Sequence, residues 1–410
     1  EWVPATVVED QTPMLQAQLC DPERVIRRIK AVAKSQPRPG IWVLDLGEMI
    51  TGTVELNLKA KAGQQVILRT ADWTWNPKAQ GPRFTASKIY YDDADLTERT
   101  PGMIACRPRG GTYMKWNFAP KGVKGSRAVH LGVPTLLYVA NGYPEGECWR
   151  PTFTSHPFRY IEVIGLTEEP SLDLITGLVI TNDEEQLGTF KADNKLFNDI
   201  WEASMNSTRY NTHGMAWDNA AERLQSQVYH AWSAPFASYE LWYPNLWRKV
   251  MQDLRLLNNL DPDNLIFGNA VYGTRFGSPP PNFAVTQSVN VELPMQYYDR
   301  YGDLRELEAH YPHMKTWVEA FFPEKDGVIK ESATMGAYCD HFYDEASSDG
   351  QWIPHWDHDT MMSMMMFEYA RDTADVARLL NKPADAESLD QLAEKIKTVI
   401  NGKWYDAENK

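Results

Sequence analysis

From Ile41 apolar and polar residues alternate with a period of two through IWVLDLGEMITGTVELNLKAKAGQQVILRTAD, a run broken at Gly47, Gly52 and Gly63. Successive side chains of a strand point to opposite faces, so this alternation predicts antiparallel strands with one buried face. The stretches TLLYVANGYPEGECWRPTFTSHPFRYIEVIGL and LDLITGLVITND continue the pattern and supply enough strands for a β-sandwich. A Gly- and Pro-rich segment, 76–134, separates these blocks and reads as a long loop insertion. Residues 1–34 are taken as an N-terminal segment and 35–187 as the β-sandwich domain.

Near Ala192 the period changes. In ADNKLFNDIWEASMNSTRYN the apolar residues Leu196, Ile200 and Met205 recur at helical spacing. Further helices are predicted over 218–243, 245–260, 286–301, 304–321, 359–380 and 384–402. Short turns alternate with long connections rich in Gly, Pro, Asp and aromatic residues. Serial hairpins of this kind predict an (α/α)6 toroid over 188–410. A closed toroid takes about twelve helices, so the chain is expected to be the front part of a longer protein, or one piece of a nicked one, with about five helices elsewhere.

The helix predicted from Asp218 opens with WDNAAERLQSQVYHAW. Asp218 is a natural N-cap, and Leu224, Val228 and Trp232 follow as a buried stripe. Asp218 and Glu222 are four residues apart, so both carboxylates lie on one helix edge near its positive end. Paired carboxylates can raise one another's proton affinity, which is how a general acid active near neutral pH is made. The same spacing also fits a capping Asp and a surface Glu paired with an Arg.

Composition narrows the partners. A formal net charge of −14 opposes general binding to nucleic acid or an anionic membrane. No apolar run approaches the ~20 residues of a membrane span. Fifteen Trp and 19 Tyr offer flat rings of the kind that stack on sugars, although Trp builds ordinary cores too. One local exception to the acidity is RPRGGTYMKWNFAPKGVKGSR, which holds Arg107, Arg109, Lys115, Lys121, Lys124 and Arg127 without one acidic residue. Cys20, Cys106, Cys148 and Cys339 show no metal or redox spacing. His355, Trp356, Asp357, His358 and Asp359 look like a metal cluster but lack zinc-site spacing, so a cap from Asp357 or Asp359 on the following helix is expected; no metal or cofactor is.

The stretch YVANGYPEGECWRPTFTSHPFRYIEVIG resembles the segment that closes the β-sandwich in glycoside hydrolase family 78, the α-L-rhamnosidases. Tyr138, Gly142, Glu147, Trp149, Pro151, Phe153, Thr154, Phe158, Arg159, Tyr160, Glu162, Val163 and Gly165 carry the match, with Pro157 in place of a glycine. Residues 188–211 resemble the family's entry helix, and Tyr301-Gly302-Asp303 its turn between paired helices. The resemblance runs from about Asp45 to the end of the chain.

What the resemblance implies is an inverting α-L-rhamnosidase acting on plant or algal glycans, with a rhamnose-containing carbohydrate as its partner. Glu222-Arg223-Leu224 keep the family's E-R-L, so Glu222 is carried over as the general acid. The aspartates around it are not kept: Asp218 is out of register, Ala221 and Ser226 replace an Asp and a Trp, and Tyr229 stands where a last Asp is usual. Ser288 replaces an acidic residue, and Gly350-Gln351-Trp352 stands where G-D-W is usual. Trp217, Asp218, Glu292, Asp340 and Trp352 are the candidate sugar-binding residues, with Asp344 and Glu345 as secondary carboxylates. The general base is expected beyond Lys410. The basic run 107–127 adds the expectation of an acidic, rhamnose-containing polysaccharide.

Two alternatives stay open. A polysaccharide lyase of toroid fold would use His213 and Tyr229 around a uronate, and a glycan-binding relative without catalysis would explain the lost aspartates. A periplasmic or extracellular home is expected, with the cytoplasm left open, since a chain that starts at Glu1 need not show its signal.

Overall fold

A computed structural model describes residues 17–71, 73–74, 104–105, 135–183, 185, 187–214, 244–260, 282–283, 289–320, 335–336, 343–344, 353–354 and 358–405. An antiparallel β-domain comes first and a helical domain follows, in the order expected. The strands are β1 (Glu23–Lys30), β2 (Ala33–Arg38), β3 (Ile41–Leu58), β4 (Gln65–Ala71), β5 (Trp73–Thr74), β6 (Ile104–Ala105), β7 (Thr135–Val139), β8 (Glu147–Trp149), β9 (His156–Ile164) and β10 (Ile175–Asn182).

The main sheet has the order β1-β10-β3-β9-β4-β7, and β2 and β8 also pair with β3. Strand β3 organises it. Its residues 41–45 pair with β2 and β9, and its residues 52–56 pair with β10. The β3–β9 register shifts between Asp45 and Ile50, so β3 bends there and its two halves serve two lobes of the sheet. Gly52 is required on the far side of the bend: a Cβ there would sit 1.9 Å from the Leu178 carbonyl oxygen of β10. Both lobes close over one core, in which Leu44, Ile50, Val54, Leu56, Leu68, Phe158, Ile161 and Ile175 are fully buried.

The sheet starts at Glu23, inside the segment set apart as 1–34. The sequence ERVIRRIK hides this strand because it has no apolar stripe. Its ties are cross-strand ion pairs instead: Arg27 with Glu48, Arg28 with Glu55, and Lys30 with Asp173. Strand β2 is equally hidden by Pro37, which sits where its register with β3 shifts, an irregularity that tolerates proline. Within 76–134, the insertion read as loop, Ile104–Ala105 pairs with Trp73–Thr74.

Several of the residues that carry the resemblance at 138–165 build the β-domain. Glu147 accepts hydrogen bonds from the backbone N–H groups of Asn141 (2.9 Å) and Gly142 (2.7 Å) and from the Tyr138 hydroxyl. These donors, the Asn141 amide first, hold its carboxyl down at about 2. Arg159 grips Asp45 with two bonds of 2.7 and 2.9 Å, and this guanidinium keeps the Asp45 carboxyl below its ordinary range. Phe158 and Val163 fill the core.

The helices are α1 (Lys195–Tyr210), α2 (Pro244–Leu260), α3 (Val289–Tyr301), α4 (Leu304–Ala320), α5 (His358–Leu379) and α6 (Pro383–Lys403). Five of the predicted helices thus fall within two or three residues of α2 to α6, while the one over 218–243 lies outside the described residues. Asn194 caps α1 by accepting from the Leu196 N–H. Gly302, at φ 65°, closes α3, and Asp303 then accepts from the Arg305 N–H to start α4. Asn381 takes the same left-handed conformation after α5, the Lys382 N–H reaches back to the Ala377 carbonyl, and Pro383 opens α6. Helices α3 to α6 share a core of Val291, Leu307, Met314, Trp317, Ala370 and Leu389. Residues of α1, α2 and α3, namely Met205, Leu246, Met251 and Leu293, form a second core that Cys20 of the β-domain joins.

Candidate active site

Chain direction locates the functional end of the helical layer. Arg248, early in α2, bonds Glu306 in the first turn of α4, whereas Arg255, two turns later, reaches His310. His313 in turn contacts Asn290 at the start of α3. Helix α2 is therefore antiparallel to α3, and its end lies beside the start of α3. Lys382 sits over the Tyr311 ring, and Trp317 packs on Tyr369, so α4 and α5 are also antiparallel.

Among the described residues, one end of the layer consequently holds the short turns around 302–303 and 380–382 together with the start of α2. The end of α2, the start of α3, the end of α4 and the start of α5 share the other end, its rim. Two short ladders are described in the stretches that join these helices: Asn282–Phe283, between α2 and α3, pairs in parallel with Met335–Gly336, between α4 and α5, and Tyr343–Asp344 pairs with Ile353–Pro354 within the second stretch. Function concentrates in loops presented by a rigid scaffold, and this rim is the face built that way.

A polar network supports the rim from beneath. Asn290 Oδ1 lies 2.6 Å from His313 Nε2, the His310 and His313 rings are 4.8 Å apart, and Arg255 Nη1 lies 3.4 Å from His310 Nδ1. Asn290 and His310 are fully buried. Burial first, and then the neighbouring Arg255, pushes His313 down to about 4; burial, His313 and Arg255 push His310 down as well. Both imidazoles are neutral near pH 7. The charge of Arg255 is answered by Glu306, which Arg248 also binds.

Of the candidate acid and sugar-binding residues, Glu292 is the one with a described side chain. It lies in the first turn of α3, where its Oε1 accepts a hydrogen bond of 2.8 Å from the Tyr369 hydroxyl of α5. Below it, burial, with the charges of Glu368, Asp375 and Glu292, raises the Asp372 carboxyl to about 6. Glu222, Asp218, Trp217, Asp340, Trp352 and Glu345 lie outside the described residues. Asp340 falls between the two ladders of the second stretch, and Asp344 is in its β-pair. Helix α5 begins at His358, which places Asp359 in its first turn, while Asp357 lies outside the described residues. His213, the residue on which a lyase reading leaned, is 4% exposed, with Nδ1 3.8 Å from Glu23 of β1. Sequence reasoning passed over Asn290, His310, His313 and Asp372. The i, i+3 spacing of HYPH was the available signal for the histidine pair.

Comparison with known proteins gives this frame a family. The bacterial alpha-L-rhamnosidase 6 hairpin glycosidase domain matches residues 185–410, just over half of the chain, and the bacterial alpha-L-rhamnosidase concanavalin-like domain matches residues 114–181. An alpha-L-rhamnosidase of Streptomyces avermitilis is 24% identical over 391 residues, covering 93% of this chain and 32% of that protein. One from Formosa agariphila is 23% identical over 322 residues, covering 75% of this chain and 29% of its own. The crystal structure of the Streptomyces avermitilis enzyme complexed with L-rhamnose superposes with a TM-score of 0.73 at 22% identity, over 95% of this chain and 32% of that one. The alpha-L-rhamnosidase of Dictyoglumus thermophilum gives 0.73 at 22%, over 94% and 38%. These superpositions show a shared fold, and the chain spans about a third of the length of the curated relatives it matches. With a β-domain feeding a layer of helical hairpins and both of its domains matched in order, the chain belongs to the bacterial α-L-rhamnosidase family.

Proposed function

We propose that the protein carrying this chain is an inverting glycoside hydrolase that removes L-rhamnose from a glycan, with Glu222 as general acid. The observation that carries the reading is the match of a six-hairpin glycosidase domain to residues 185–410, within which Glu222-Arg223-Leu224 keep the family's E-R-L. Inversion uses an acid on one side of the scissile bond and a base about 6.5–9.5 Å away that activates water on the other. In this reading Glu222 protonates the departing glycosidic oxygen, and no residue of this chain is proposed as the base. Trp217, Asp218, Asp340 and Trp352 are proposed to contact the sugar. Glu292, whose Oε1 accepts from the Tyr369 hydroxyl, is proposed to contact the sugar as well.

The basic run 107–127 supports an anionic glycan as substrate, and a polymer of that kind supports a periplasmic or extracellular home as the proposed location. Cleavage of anionic oligosaccharides is then faster than that of neutral rhamnosides at low salt, and the preference fades as salt screens it.

Rhamnose release from a panel of rhamnosides, with the product anomer followed by NMR, tests the reading. Glu222→Gln should lower turnover of substrates with poor leaving groups by at least about 100-fold. Undiminished turnover removes the acid assignment. The replaced aspartates favour a second reading, a glycan-binding relative, and tight binding of the same panel without product formation would establish it.

A further inference from the structure

Helix α1 opens the run of helices along the chain, yet the sheet holds it more firmly than the other helices do. Met205 is its one buried residue, and Leu196, Phe197 and Ile200 in its first half are each more than half exposed. Packing against the helical layer therefore supplies little of what keeps α1 in place. Its last turn is tied into the β-domain instead. Thr181 Oγ1, at the end of β10, lies 3.0 Å from both the Arg209 and Thr212 carbonyl oxygens and shares its proton between them. Asn182, the next residue, accepts from the Gly214 N–H at 2.7 Å and donates to the Asp21 carbonyl at 2.5 Å. Arg27 of β1 donates to the Tyr210 hydroxyl at 3.0 Å and to Glu48 of β3 at 2.7 Å, and Tyr210 packs against the sheet core. Thr181, Asn182 and Thr212 are buried, so their bonds do not compete with water.

We propose that α1 belongs to the folding unit of the β-domain, and that the second core is the interface between the two domains. That core has two sides. Cys20 and Met205 enter it from the β-domain and from α1, while Leu246, Val250 and Met251 of α2 and Leu293 of α3 meet them from the helical layer. A boundary drawn near 187, where the strands stop and the helices begin, cuts the bonds of Thr181 to Arg209 and Thr212 and that of Asn182 to Gly214. One drawn after Gly214 cuts none of them. Leaving a buried carbonyl or N–H without a partner is costly, so opening passes around this joint rather than through it. The two amide functions of Asn182 suit the joint, because one accepts from the chain leaving α1 and the other donates to the chain entering β1, locking the side chain between them. The β-domain then presents a helix of its own to the helical layer, and opening of α3 to α6 leaves that helix in place.

Hydrogen exchange resolved by mass spectrometry tests this on the intact protein, under conditions in which each rate reports an opening equilibrium. Two packing variants load the two sides separately: Phe158→Ala in the sheet core and Met314→Ala in the core of α3 to α6, both at fully buried sites. Phe158→Ala should speed exchange over 206–214 and over β10 alike, by at least about 100-fold, with α4 changed less than about threefold. Met314→Ala should do the reverse, speeding α4 and leaving 206–214 and β10 close to their parent rates. Phe158→Leu is expected to give the first pattern at about 10-fold, and serves if the alanine variant does not fold. Asn182→Ala, which removes the partner of the Gly214 N–H, should speed exchange over 211–214 by about 10-fold while β3 and β9 keep their rates. Amides over 206–214 that follow Met314→Ala, that respond equally to both packing variants, or that follow neither overturn the proposal. Unchanged exchange over 211–214 in Asn182→Ala overturns it too, because the joint would then not be what holds the helix.

Discussion

Glu147 in the β-domain and His313 in the helical layer are both titratable groups held by fixed neighbours, yet the fold drives them to opposite states. Glu147 is ringed by donors, two backbone N–H groups and the Tyr138 hydroxyl, so its charged form is favoured and its carboxyl stays near 2. His313 is enclosed by apolar helices beside Arg255, so its charged form is opposed and its imidazole falls to about 4. A loop whose amides converge on one point accepts a charge; a helix interface, whose amides are already used within the helices, takes neutral groups. The two domains therefore differ in how acid acts on them.

The strongest way to break the comparison is to remove packing from one side only. Phe158 is fully buried in the sheet core, and Phe158→Ala should cost about 3–5 kcal/mol, read as a lower denaturant midpoint for the β-domain signal. If the helical signal falls equally, the two domains unfold as one unit and the contrast has no separate meaning.

Acid sharpens it next. Because the native pKa of His313 lies below 6.5, its contribution is full above pH 6.5 and is lost as pH falls toward 4, a loss on the order of 3 kcal/mol. Glu147, whose native pKa is also depressed, keeps its contribution until pH drops below about 4.5 and loses it toward 2. Between pH 6.5 and 4.5 the helical layer should weaken while the loop at 141–146 stays protected, as hydrogen exchange can resolve. In His313→Gln, which takes up no proton, this part of the pH dependence should shrink; an unaltered profile would show that other groups set it.

The smallest effect is expected at the surface of the same network. Arg248 is 40% exposed, and Arg248→Ala should cost about 0.5 kcal/mol, because Arg255 still answers Glu306. A melting shift that grows at low salt would measure it.

The legible parts of the molecule are those where one local rule acts alone. Helices α2 to α6 follow from apolar spacing, and their turns from Gly302, Asn381 and Pro383. Strand β3 follows from alternation. Strand β1 was not legible, because Arg27, Arg28 and Lys30 find their partners on β3 and beside β10, residues that the sequence places far away. The candidate site was legible only as a motif: Glu222 could be named from E-R-L, whereas the bond from Tyr369 to Glu292, and the parallel pairing of Asn282–Phe283 with Met335–Gly336, join residues about 50 to 80 positions apart.

By itself, then, the sequence determined the two-domain order, the helical hairpins and the identity of the acid candidate, because spacing, capping and a short motif are properties of neighbouring residues. The tertiary structure alone decided that Tyr138, Glu147, Phe158 and Arg159 of the motif build the β-domain, that His213 is buried against β1, that two histidines are held neutral, and that β10 grips the chain at Gly214. Each of these depends on burial and on donors brought from distant parts of the chain, and neither quantity exists until the chain has folded.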